Sequence, residues 1–157
     1  MKDYFIKIAM CSLFCCSSFF CEAQTVVLED EVAFEILKWH FHHYPKSTTK
    51  QWMSLGEQAY RAEFAFDGKE VVTVYLSDGK RLSEEVNLTK DMPLSLTYYL
   101  EDKYSKYKVA DFRKITNFSD EMVYYKMEVK SKEKGDETLS FDEDLIPIDF
   151  ALISKAN

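Results

Sequence analysis

Two stretches of the chain alternate apolar and polar residues with the period of two that is typical of a half-buried β-strand. They are AYRAEFAF at 59–66 and VYYKMEV at 123–129. Turn sequences that contain glycine stand at 67–69, 77–80 and 134–136 and favour β-hairpins. The pattern predicts an antiparallel sheet with one packed face and one wet face.

Two other stretches show the spacing of a helix. Residues 31–45 and 91–105 place large side chains four positions apart, which puts them on one stripe of a helix. Asp91 is the predicted N-cap of the second helix, with Pro93 in its first turn, and Pro45 is expected to end the first helix.

The helical stretches belong to a unit that occurs twice. An offset of sixty pairs Ile36 with Leu96 and His40 with Leu100, and after a short insertion near 116–121 the strand stretches also align. Each copy reads as a helix, a loop with an aromatic residue (Trp52 or Phe112), and three or four strands. The predicted class is α+β, with two tandem helix-plus-antiparallel-sheet repeats and the helices on one face of a continuous sheet. Residues 24–157 are expected to form a single domain, with repeats at about 28–88 and 89–150.

Residues 1–23 read as a signal peptide. Lys2 and Lys7 accompany an apolar stretch that is too short to span a bilayer, and Ala23 precedes the best cleavage site. Lipid attachment at Cys21 is the less favoured alternative, because Phe20 stands where a small residue is needed. All four cysteines lie in this leader, so the processed chain has no thiol chemistry and no disulfide. We expect a periplasmic or secreted protein with no further membrane span.

The net charge of −7 is unchanged when the leader is removed. Such a surface repels phosphate backbones, so nucleic acid is not an expected partner, whereas a cationic partner is compatible. The oligomeric state is left open by the sequence.

All three histidines lie at 40–43. On a helix only His40 and His43, one turn apart, could share a metal ion, and no third ligand is identified. Because His40 aligns with Leu100, we interpret it as a core residue with two surface companions, and expect no metal and no cofactor. Replacing His40 with leucine is then expected to leave folding intact or improve it.

The chain shows none of the familiar catalytic motifs, since it lacks a GxSxG, an HExxH and a glycine loop for phosphates. The acidic runs LEDE at 28–31 and DEDL at 142–145 are interpreted as capping or turn sequences. The sequence therefore predicts a protein that is not an enzyme.

The wet face of the sheet is the candidate binding surface. Tyr75 stands between Val74 and Leu76, and strict alternation places it on the wet side, where large rings and arginine are typical of protein-binding surfaces. Cross-strand pairing that only stabilises the sheet is the alternative interpretation. The candidate partner-binding residues are Arg61, Glu63, Tyr75, Tyr124, Lys126 and Glu128.

The sequence FHHYP, then Trp52, then YRAEFAFDGKEVVTVYLSDGKRL resembles the PepSY-like periplasmic proteins, whose repeats share the fold of the beta-lactamase inhibitor protein. The second copy, from MPLSLTYYLEDKYS to VYYKMEVKSKEKGDETLSFDED, resembles the same unit. The resemblance implies export, tandem repeats and an inhibitory or ligand-binding role, and it supplies no catalytic or binding residues. Ser105, His40 and the sequence FDEDL depart from the family pattern.

These observations support two functional hypotheses. The first is an exported, non-enzymatic binding module that docks a protein of the cell envelope on the exposed sheet face, as an inhibitor or regulator. The alternative is a carrier of a small ligand or metal in a pocket between the helices and the sheet.

Overall fold

The computed structural model describes residues 25–148. The predicted leader with its cleavage site and Cys21, and the last residues of the second predicted repeat, lie outside this range. Two helices of ten residues, α1 (Phe34–His43) and α2 (Leu94–Lys103), each follow a short 3₁₀ turn. The strands are β1 (Thr25–Val27), β2 (Thr48–Ser54), β3 (Ala59–Phe66), β4 (Lys69–Leu76), β5 (Arg81–Asn87), β6 (Lys108–Asn117), β7 (Met122–Ser131), β8 (Gly135–Phe141) and β9 (Pro147–Ile148).

The nine strands form one antiparallel sheet in which each strand pairs only with its neighbours in the chain. The predicted hairpin turns are confirmed between β3 and β4, β4 and β5, and β7 and β8. In the first of them, Asp67 and Gly68 both have positive φ, 49° and 75°. This is the two-residue turn that matches the twist of a hairpin, and it fixes the register so that Phe66 pairs with Lys69.

Two apolar clusters fill one side of the sheet, which we call the core face. The first contains Ile36 of α1 and buried residues of β2–β4, and the second contains Leu96 of α2 and buried residues of β6–β8. A row of cross-strand neighbours runs from the first cluster to the second, so both clusters lie on the same face. The row comprises Phe64, Val71, Val86, Lys114, Tyr125 and Phe141.

Two sequence predictions about local structure are wrong. Trp52 and Phe112 were expected in loops, but they lie within β2 and β6 and are almost fully buried, because each faces its apolar cluster. Asp91 does not cap α2. It ends the 3₁₀ turn Thr89–Asp91, and Pro93 occupies the N-cap position with the extended backbone that its ring favours.

Three other local predictions hold, for the end of α1 and for the two acidic runs. Helix α1 ends at His43, two residues before Pro45. This end is expected, because a proline disfavours helical backbone at the residue that precedes it. In the two acidic runs, the Glu31 carboxylate accepts a hydrogen bond from the Leu28 amide at 2.8 Å, and Asp142 accepts one from the Ile146 amide at 2.8 Å. Both runs therefore serve local turns.

Gly79 seats α1 against the β4–β5 turn. Its φ is +86°, and a Cβ atom at this position would lie 2.5 Å from Cδ1 of Trp39 and 3.0 Å from the carbonyl oxygen of Glu35. Only glycine combines this backbone conformation with so close an approach of a helix.

Within residues 25–148, neither helix has the length or the apolar content that crossing a bilayer would require.

Candidate functional site: the open sheet face

No helix of residues 25–148 lies on the side of the sheet opposite the core face, and we call that side the open sheet face. In β3 and β7 the predicted alternation is confirmed. Ala62 in β3 and Met127 in β7 are fully buried in the clusters, and the residues on either side of each point away from the core face. Five of the six candidate binding residues lie on this face. They are Arg61, Glu63, Tyr124, Lys126 and Glu128.

The sixth candidate, Tyr75, is on the core face, and its prediction is wrong. It is 0% exposed, and its hydroxyl is hydrogen-bonded to Nδ1 of His40 at 3.0 Å. Strand β4 is apolar on both faces, so alternation alone cannot decide which side packs. The two-residue turn decides it, because its register pairs Tyr75 with Tyr60 on the core face and leaves Val72 and Val74 on the other.

A groove of about 580 Å³ brings together the charged residues of the open sheet face. It contains four of the predicted residues and four that sequence reasoning missed. Its lining residues are Arg61, Glu85, Asp111, Arg113, Ile115, Tyr124, Lys126 and Glu128. A smaller groove of about 150 Å³ adjoins it through Arg61 and Arg113 and includes Glu63.

Each cation of the groove is paired with a carboxylate of the same face. Arg61 lies 2.9 Å from Glu63, and Lys126 lies 3.6 Å from Glu128. Arg113 binds Asp111 closely through Nε, and its Nη1 is 3.5 Å from Glu85. The side chains of Arg61 and Arg113 are only 29% and 28% exposed, so they lie along the sheet rather than extending into solvent.

The electrostatics of Arg113 reflect these neighbours. Burial lowers the pKa of its guanidinium, but the hydrogen bond to Asp111 and the charges of Asp111, Glu85 and Glu70 outweigh that effect and raise it overall. Burial, together with the charges of Glu85 and Asp120, raises the pKa of the Tyr124 hydroxyl. Arg113 therefore stays cationic, and Tyr124 stays a neutral phenol.

Apolar side chains form the floor beneath these charges. Val72 is 8% exposed and Ile115 is 9% exposed, although no element of the described chain covers this face. The longer side chains beside them provide the covering, because Val72 stands between Glu63 and Glu85, and Ile115 stands between Glu85 and Tyr124. The open sheet face thus combines a buried apolar floor with paired charges.

Within residues 25–148, no group of three or more His, Cys, Asp or Glu side chains lies close enough together to hold a metal ion. His40 is buried, as its alignment with Leu100 predicts, and Nε2 lies 3.2 Å from the Ser47 hydroxyl. Burial lowers its pKa to about 4. His42 and His43 are exposed and contact the ring of Trp39.

A third depression of about 250 Å³ lies between α2 and the β8–β9 edge of the sheet. Tyr99 and Tyr104 form its helix side, and residues 138–141 with Pro147 and Ile148 form its sheet side. This is the one place, among the grooves described above, where helix and sheet residues share a lining.

Comparison with known proteins gives a likeness in structure only. No family model matches the sequence, and no curated protein matches it. A BLIP-like protein from Bacteroides fragilis superposes with a TM-score of 0.59 at 20% identity, over 73% of this chain and 82% of that one. A DUF2874 family protein from Bacteroides uniformis gives 0.61 at 14% identity, over 74% and 86%. A Bacteroides eggerthii structure of "putative periplasmic proteins" gives 0.62 at 10% identity, over 75% and 86%.

At these identities the likeness concerns the course of the backbone, and it spans most of each chain. The resemblance to PepSY-like proteins is not matched by a family model and stays a prediction. The mostly antiparallel sheet of nine strands and its two helices therefore constitute a BLIP-like fold.

Proposed function

We propose that this protein is an exported, non-enzymatic binding module that docks a protein of the cell envelope on its open sheet face. The observation that carries the proposal is the groove in which four separate strands, β3, β5, β6 and β7, contribute charged side chains above an apolar floor. The groove contains two arginines and a tyrosine, residue types that are enriched at protein interfaces. An inhibitory or regulatory role would follow if the docked protein is an enzyme.

The remaining features of the sequence prediction belong to the same proposal. The predicted signal peptide supports export, and the name of the Bacteroides eggerthii protein is in keeping with a periplasmic location. Two tandem PepSY-like repeats, each with one helix over its part of the sheet, would explain why α1 and α2 each anchor one apolar cluster.

The balance of charge on the face argues against a nucleic acid. The chain carries a net charge of −7, and every cation of the groove already has a carboxylate beside it. A phosphate backbone would gain little from such cations and would be repelled by the rest of the surface. A protein surface with charges of both signs can exchange ion pairs with this one.

Reversing two charges of the groove tests the proposal. We expect the double variant Arg61→Glu, Lys126→Glu to lose about 100-fold or more in affinity for its partner, because the two new glutamates would repel the partner's groups that complement Arg61 and Lys126. The unfolding free energy should change by about 1 kcal/mol or less, since both pairs are partly exposed. Affinity capture from native envelope extract identifies the partner, and titration of the purified pair measures the affinity.

The matched control is Lys38→Glu, Lys103→Glu, which makes the same change of charge on the two helices, far from the open sheet face. If both double variants lose the same affinity for the partner, the effect is a general one of net charge, and docking on this face is contradicted. A groove variant that also unfolds would indicate that the ion pairs only stabilise the sheet.

The second candidate function is carriage of a small ligand in the depression between α2 and the β8–β9 edge, where aromatic and apolar side chains meet. Native mass spectrometry of the untagged protein is expected to show one discrete mass increment if this function holds. A Tyr99→Ala variant should lose that increment, whereas the Tyr124→Ala variant should keep it. A spectrum that shows only the mass of the chain itself would contradict the carrier function.

A further inference from the structure

We propose that the docked partner presents an arginine or lysine side chain to Glu85, at the centre of the open sheet face. This inference rests on the proposed function, and it names the chemistry by which the same surface recognises its partner. Four observations carry it: the position of Glu85, the apolar floor on both sides of it, its incomplete pairing, and the ring of Tyr124.

Glu85 occupies the middle of the surface. It lies in β5, the central strand of the nine, and it belongs to one row of cross-strand neighbours on the open sheet face. The row comprises Glu63, Val72, Glu85, Ile115 and Tyr124. Neighbours in such a row have Cβ atoms about 5 Å apart, so a single long side chain reaches several of them.

The floor beside Glu85 suits the stem of a long cationic side chain. Val72 and Ile115 stand directly beside it on β4 and β6. Arginine and lysine lay their methylene groups along apolar surface of this kind while their charged ends reach a carboxylate. The two aliphatic residues are 8% and 9% exposed, so the incoming methylene groups would contact them through the small surface that their neighbours leave open.

Glu85 has the weakest pairing of the carboxylates that share Arg113. That guanidinium is held closely by Asp111 through Nε, whereas its Nη1 is 3.5 Å from Glu85, at the outer limit of a hydrogen bond. Among the groups that line the two grooves, four cations face five carboxylates: Lys50, Arg61, Arg113 and Lys126 against Glu63, Glu70, Glu85, Asp111 and Glu128. An incoming cation therefore complements the surface, whereas an incoming carboxylate would have to displace one already in place.

Two further features favour a cation. The net charge of −7 raises the local concentration of basic groups around the protein. Tyr124 lies next to Ile115 in the same row, and its neutral ring can receive the edge or face of a guanidinium that reaches across the floor.

The test is an NMR titration of the isotope-labelled protein with a blocked glycyl-arginyl-glycine peptide. We expect amide shifts centred on residues 72, 85 and 115, and a dissociation constant in the millimolar range, which is ordinary for one ion pair with some apolar contact. The isosteric variant Glu85→Gln should weaken this binding by about threefold or more. The matched control is Glu143→Gln, which removes an exposed carboxylate from the β8–β9 turn and should leave the titration unchanged.

The same peptide with glutamate in place of arginine is the control for the sign of the charge. The inference is overturned if the glutamate peptide shifts the same amides equally, if neither peptide shifts them, or if Glu85→Gln binds the arginine peptide as the unchanged protein does. The proposed function fails separately, through the reversal of Arg61 and Lys126. If that reversal abolishes capture while the arginine peptide does not bind, the face docks a protein by another chemistry.

Discussion

Lowering the pH from about 6.5 to 4 is expected to remove about 3 kcal/mol from the unfolding free energy through His40 alone. Burial lowers the pKa of this imidazole to about 4 in the folded protein, and its ordinary value of 6.5 returns on unfolding. Between these two values the unfolded chain binds a proton that the folded chain does not. The unfolding free energy therefore falls as the pH falls through this window, and the loss is complete below pH 4.

The surroundings of His40 explain the size of the effect. Its two nitrogens face the hydroxyls of Tyr75 and Ser47, which are neutral, and the rings of Trp52 and Phe64 lie against it. Neither hydrogen-bond partner can stabilise an imidazolium as a carboxylate would. The positive charge would thus be created in a largely apolar site.

Urea denaturation at several pH values between 7 and 4 measures this loss. The double variant His40→Leu, Tyr75→Phe is the control, since it removes the imidazole together with the hydroxyl that depends on it. The difference between the two proteins isolates His40 from the carboxylates that titrate in the same range. A difference that stays constant with pH would show that the imidazole is protonated in the fold, or is accessible to water there.

The single variant His40→Leu, which the sequence predicts to fold as well or better, is expected from the structure to lose stability. It leaves the buried Tyr75 hydroxyl without its bond to Nδ1, and a loss of this kind costs about 1–3 kcal/mol. The repeat identifies the apolar position correctly, but it cannot show that the histidine has acquired hydrogen-bonding partners there.

Truncating Tyr75 is expected to have the second large effect. Tyr75→Ala removes a fully buried ring that contacts His40 and Trp52, and should lower the unfolding free energy by about 3–5 kcal/mol, the usual cost of emptying an aromatic site. Tyr124→Ala, on the open sheet face, should cost about 1 kcal/mol or less. Thermal or chemical denaturation of the two variants gives the comparison.

Under conditions where both variants are folded, affinity for the partner should be reduced more by Tyr124→Ala than by Tyr75→Ala. Tyr124→Ala should weaken capture of the partner, because Tyr124 lines the groove, whereas Tyr75→Ala should act only through its stability. A stable Tyr75→Ala protein would contradict the core placement of this ring and return it to the list of surface candidates.

The contrast between the two tyrosines shows how far the sequence could lead. Strands β3 and β7 have one polar face, so alternation identifies their packed side without ambiguity. In β4 apolar residues stand on both faces, so the choice depends on pairing with β3 through the turn at Asp67 and Gly68. The sequence of the two-residue turn indicates that pairing. To use it, one has to assign the partner of each β4 residue on β3 from the turn, instead of following the alternation along β4 alone.

Other residues needed information that the sequence does not contain. Glu85, Asp111 and Arg113 lie on β5 and β6, where polar and apolar residues mix without strict alternation. Both strands carry bulges or shifts in register with a neighbour, which disturb any period of two. Their meeting with Arg61 and Lys126 depends on the order of strands in the sheet, which tertiary structure alone decides.

The strand order also bears on how the chain folds. Six of the eight strand pairings close turns of a few residues, whereas β1–β2 and β5–β6 must each close a loop that contains a helix. Loop-closure entropy and low contact order favour early formation of the hairpins. Pairing of β5 with β6 is then the step that joins the two apolar clusters, and it assembles the open sheet face across their junction. The proposed binding surface would therefore form only when the two halves of the sheet join.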